Sequence, residues 1–134
     1  MSNVVSIRDK ARAASLVKER VIDVPEWDCK LLVRGMTQLS CYECRAVFPE
    51  EGARLPIHNA KFGVAMVISH TFDPETKKPA FEAADMDWML EMEPGIIRRI
   101  ADEINVLSGF TSTKPVEDAA KNSEKTQPSA DNSN

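Results

Sequence analysis

Glycine and aromatic residues are scarce in this sequence, with five glycines and 6% aromatics in 134 residues. No glycine-rich loop able to cradle a phosphate stands out, and any core must lean on Val, Ile, Leu, Met and Ala. No apolar run approaches the ~20 residues that a membrane-spanning helix needs, so no membrane partner is expected. The opening "MSNVVSIRDKARAA" has no uninterrupted apolar stretch followed by a cleavage site, so no secretion signal is seen and a cytoplasmic protein is expected. An excess of positive charge is also missing. Lys and Arg number 17 against 21 Asp and Glu, a net charge of −4, which argues against a nucleic-acid partner. The basic cluster Arg8, Lys10, Arg12, Lys18 and Arg20 is interrupted by Asp9 and Glu19 and reads as a solvated helix face. Cysteines are few and odd in number, three, so a disulfide framework is not expected.

What is present is mostly helical pattern, and the expected fold class is mainly α with one small antiparallel β-hairpin (α+β). The length suits a single small domain. Residues 1–19 read as an N-terminal helix or arm, with Ser6 as cap and a thin apolar stripe of Ile7, Ala11, Ala14 and Leu16. "RVIDVPEWDCKLLVRGMT" then breaks the helical pattern. The β-branched Val21, Ile22, Val24 and Val33 favour two strands, with Pro25 to Cys29 between them, giving a hairpin over 20–34. Gly35 ends the second strand and Thr37 can cap a helix over about 37–48, stopped by Pro49. Pro56 opens a helix over about 57–71 that is apolar most of the way round and so belongs in the middle of a core. Asp73-Pro74 and Pro79 make a turn, Phe81 anchors the chain, and a short helix over 82–92 follows. Pro94 opens the last helix, 94–108, where Ile96, Ile97, Ile100, Ala101, Ile104 and Leu107 share a face and Gly109 ends it. These pieces form a body over 20–110. Residues 111–134 contain one Val and no Leu, Ile or aromatic residue, and read as a disordered polar tail.

Residues with chemical potential are sparse. Cys41 and Cys44 stand three apart, and with Cys29, His58 and His70 could in principle bind zinc, but the two histidines lack the close spacing of a ligand pair. A CxxC redox motif would follow a strand in a βαβ unit, and none is visible. The expectation is therefore no metal and no cofactor, with the thiols as small helix residues. His70 sits at a helix C-terminus, where it can meet the last carbonyls, and His58 lies at a loop-to-helix junction. Asp85 and Asp87 flank Met86 near a helix start, where carboxylates favour the dipole. No catalytic triad or paired acidic motif stands out, so no enzyme activity and no catalytic residue are expected. Met86, Trp88, Met89 and Met92 suit both an irregular core and an adaptable binding surface, and one helix can serve both. Trp27, at the hairpin tip, either docks a neighbouring subunit or folds back onto the helices.

The order of segments from about Val21 to Phe110 resembles the tail assembly chaperones of long-tailed bacteriophages. The resemblance is carried by "VIDVPEWDCKLLVRGMT", by the apolar helix "NAKFGVAMVISHTF" with the turn "DPETKKPAF", and by "DMDWMLEMEPGIIRRIADEINVLSGF". Ser40 and "CYEC" stand where the family usually has charged residues, and Glu82 stands at a helix start where Ser, Thr or Asp is usual. The resemblance implies a non-enzymatic protein of the host cytoplasm. It would hold the long, apolar tape measure protein soluble, help recruit the tail tube protein and be absent from the mature virion, and the projecting hairpin, able to dock a neighbouring copy, suggests a homo-oligomer. In many members a ribosomal frameshift makes a longer product. On this reading Trp27 is the first candidate for self-association, and Trp88 with Met89, flanked by Met86 and Met92, for the client. The rival readings are a structural head–tail or tail completion protein and a small metal-binding or DNA-binding regulatory protein.

Overall fold

A computed structural model describes residues 4–14 and 17–110, and the polar segment 111–134 lies outside the described residues. The order of elements is α1 (Ile7–Ala14), β1 (Glu19–Val24), β2 (Cys29–Arg34), α2 (Gln38–Cys44), α3 (Pro56–His70), β3 (Thr71–Phe72), α4 (Met86–Met89) and α5 (Pro94–Leu107). Five helices and a three-stranded antiparallel sheet thus form one small α+β domain among the described residues.

Local chemistry accounts for most boundaries. Ser6 Oγ accepts the Asp9 amide at the start of α1. Thr37 and Ser40 form a reciprocal capping box at the start of α2. Pro56 and Pro94 each begin a helix, where a missing N–H costs nothing. At the end of α5 the amide of Phe110 donates to Asn105 O at 3.0 Å and that of Gly109 to Val106 O at 3.1 Å. Gly109 has φ of 84°, the left-handed cap this double bond requires.

The structure differs from the sequence expectation in several places, and α2 is one of them: it ends at Cys44, and a 3₁₀ turn over Arg45–Val47 takes the place of its expected last turn. The hairpin is not alone, because Thr71–Phe72 pairs with Leu32 and Val33 of β2 and makes a third strand. This puts β2 in the centre of the sheet, and Leu31, Leu32 and Val33 are all buried. The stretch 82–92 is also less regular than one helix. A 3₁₀ turn over Ala83–Asp85 leads into the single α-turn of α4. Cys29 pairs with Val24, so the hairpin connection is one residue shorter than it reads. It is a 3₁₀ turn, Pro25–Trp27, closed by Asp28 at φ of 52°.

The core lies between the sheet and the α3–α5 pair. Val24, Leu31 and Val33 from the sheet meet Val64, Met66 and Val67 of α3, Met89 of α4, and Ile97, Ile100 and Ile104 of α5. α3 is the central helix, touching α2, α4 and α5. Gly35 is where β2 meets the end of α5. A Cβ there would stand 2.7 Å from Leu107 O, so only glycine permits the approach. The junction is tied by the Met36 amide donating to Ser108 Oγ at 2.7 Å. α1 differs from every other long element, because none of its residues is buried.

Candidate functional site

The segment from Phe81 to Glu93 contributes to two apolar surfaces. The first is an aromatic row. Trp27 meets Phe81 edge-on at 5.7 Å between ring centroids, and Phe81 meets Trp88 at 6.2 Å. Both spacings lie in the range of favourable T-shaped pairs. The two tryptophans that the sequence suggested for separate roles therefore flank one phenylalanine. Their burial differs. Trp27 is half-buried and packs against the core cluster, whereas Trp88 is 48% exposed. Trp88 Nε1 donates to Asp85 Oδ1 at 2.9 Å, and the Glu82 amide donates to the other oxygen of Asp85 at 2.8 Å. The amide first, then the indole, hold the Asp85 carboxyl below the usual carboxylate range. The bond to the indole also fixes the exposed ring. Met86, beside Trp88, is half-buried against the core.

The hairpin tip rests on its own body. Besides the Trp27 contact, Glu26 accepts a two-pronged bond from Arg99 of α5, at 3.0 and 2.6 Å. The bond to Arg99 is the main cause that lowers the Glu26 carboxyl, and the same bond raises the guanidinium. This is the fold-back arrangement of the tip in the isolated chain.

The second surface is a cleft of about 440 Å³ between α3, α5 and the segment that follows α4. Ala60 and Gly63 on α3 and Ala101 on α5 leave the space, and Met89, Leu90, Met92 and Ile97 line it. Met89 is only 1% exposed, so it supports the cleft from the core, while Met92 is half-buried and within reach of a ligand. Sequence reasoning passed over this cleft. The available signal was the small pair Ala60 and Gly63, one helical turn apart on a helix that reads as apolar most of the way round.

The polar candidates are structural. His70 is buried, with Nδ1 2.8 Å from Met66 O and Nε2 2.9 Å from Ser40 Oγ. A carbonyl can only accept, so Nδ1 carries the proton and neutral Nε2 accepts from the Ser40 hydroxyl. Burial lowers the pKa of His70, and the imidazole ties α2 to α3. His58 Nδ1 accepts the Leu55 amide at 2.9 Å and helps begin α3. Cys44 is buried with Sγ 4.0 Å from Ser69 Oγ, and burial raises its thiol pKa. Cys41 is half-buried and Cys29 exposed, and all three cysteines are free. Among the described residues no group of three or more metal-ligating side chains converges, and no helix is long and apolar enough to cross a membrane.

The fold and its two apolar surfaces thus define a small α+β domain with one exposed tryptophan beside half-buried aromatic and methionine side chains. The chain is similar in structure to the bacteriophage HK97 tail assembly chaperone, with a TM-score of 0.56 over 73% of this chain and 95% of that chain, at 17% identity. At that identity the likeness concerns the fold. Neither a protein-family model nor a curated protein sequence matches the chain.

Proposed function

We propose that this protein is a tail assembly chaperone that binds a tape measure protein, keeps it soluble and helps bring tail tube subunits to it. It acts without catalysis, in the host cytoplasm, as a homo-oligomer, and is absent from the mature virion. The observation that carries the reading is the row Trp27–Phe81–Trp88, with Trp88 held half-exposed by Asp85, on a fold shared with the HK97 tail assembly chaperone. A tape measure helix presents apolar stripes that aggregate unless covered. Rigid aromatic and adaptable methionine side chains suit repeated weak contacts with such stripes. On this reading Trp88 and Met86 touch the client and Trp27 continues the row, whereas Met89, first a candidate for client contact, is too buried to reach it.

The test is co-expression with the tape measure protein. The wild type should raise its soluble yield severalfold, and Trp88→Ala should remove most of that gain while circular dichroism stays unchanged. A client as insoluble with the wild-type protein as without it would end this reading. Mass spectrometry of purified particles separates the chaperone from a structural component, since the chaperone should be missing from them.

A further inference from the structure

We infer that the α3–α5 cleft takes an apolar helix of the client that carries a carboxylate, and that Arg98 pairs with that carboxylate. The inference goes beyond the aromatic row and rests on the chaperone reading only for the identity of the helix. Ala60 and Gly63 on α3 and Ala101 on α5 open the cleft, and Leu90, Met92 and Ile97 give it apolar walls. Among the described residues Arg98 is the only charged side chain in the lining, and it is exposed. Pro94, Arg98 and Ala101 stand at positions i, i+4 and i+7 of α5, so the guanidinium and the small residue share one helical face.

Among the described residues Arg98 has neither a carboxylate nor a ring as partner, and in this it differs from every other arginine between residues 20 and 110. Arg20 pairs with Glu103, Arg34 with Glu19 and Arg99 with Glu26. Arg45 and Arg54 lie against the ring of Phe48. Glu91 and Glu93, exposed on either side of Met92, stand outside the lining. Arg98 thus leaves a free positive charge beside an apolar cleft. A helix seated there strips water from the guanidinium, and a charge out of water without a partner is costly. A purely apolar helix is therefore disfavoured, and one with Asp or Glu a turn away from its apolar stripe is favoured. The small residues leave room for the Leu, Ile or Met side chains of such a stripe, as in other grooves that take a helix.

Fluorescence anisotropy on the full chain, with short labelled peptides tiled along the tape measure protein, tests the inference. The peptides that bind the wild type should carry Asp or Glu within one helical turn of an apolar stripe. Changing that acid to its amide in the peptide, or Arg98→Glu in the protein, should each weaken binding at least about tenfold. A peptide with Lys in place of the acid should bind Arg98→Glu better than it binds the wild type. Ala60→Leu, which fills the cleft, should weaken binding of every such peptide. Circular dichroism should not change in either variant, because Arg98 and Ala60 are exposed. Failure of every peptide to bind the wild type overturns the inference, and so does equal binding by Arg98→Glu. A synthetic peptide of residues 111–134 should not compete; competition would mean that this segment fills the cleft, and the inference is then wrong. Arg98→Glu should keep the light-scattering mass of the wild type; a lower mass would give the cleft to a second copy and is equally fatal. If the full client stays insoluble beside the wild type while its peptides bind through Arg98, the chaperone reading falls and the inference stands. A client made soluble, with peptides indifferent to Arg98, does the reverse.

Discussion

His70 and Gly35 show how single residues hold this fold. His70 is neutral, with one ring nitrogen donating to Met66 O and the other accepting from Ser40. Its folded pKa lies below the ordinary value of 6.5, because burial penalises the charged ring. As pH falls below 6.5 the unfolded chain takes up a proton that the folded chain refuses, so stability is lost on the acid side. The melting temperature should therefore fall as pH drops from about 6.5 towards 5, and His70→Gln should flatten that part of the profile. Gly35 carries a steric demand. Gly35→Ala should lower stability by about 1–3 kcal/mol in denaturant titration, because the obstacle is the α5 backbone and cannot rotate away. The histidine's position at a helix end was legible in the sequence, but its bond to Ser40 was not, since that pairing exists only once α2 packs on α3.

At the scale of elements, the segment 81–93 and the hairpin tip carry the candidate site. The methionines and Trp88 within this one segment have unequal jobs. Met89→Ala should cost about 2–5 kcal/mol, as expected for a buried large side chain, whereas Trp88→Ala should cost under about 1 kcal/mol. Equal losses in equilibrium unfolding would mean that Trp88 is a core residue. The sequence showed the cluster but not this division, because a one-turn helix entered through a 3₁₀ turn has no clean period from which to assign faces. Trp27 was open to two readings for a similar reason. Its neighbours in sequence do not decide where the ring goes; in the fold the ring meets Phe81, and the neighbouring Glu26 is held by Arg99. β3 is two residues long and carries no alternating pattern, so only its pairing with β2 reveals it.

For the whole molecule, association and stability should be linked. If the protein acts as a homo-oligomer, the melting temperature of the full chain should rise with protein concentration. Concentration-independent melting of the full chain would count against self-association. The sequence by itself determined the order of the helices and the hairpin, the Ser6 and Thr37 caps, the prolines that open α3 and α5, and the apolar faces of those two helices. These depend on neighbours within a few residues, where propensity, capping and period act directly. Only the tertiary structure decided that a third strand completes the sheet and that Trp27, Phe81 and Trp88 form one row. It alone also showed that small residues on α3 and α5 leave a cleft. Each of these depends on which distant surfaces meet, and that is fixed by the packing of helices on the sheet rather than by any local pattern.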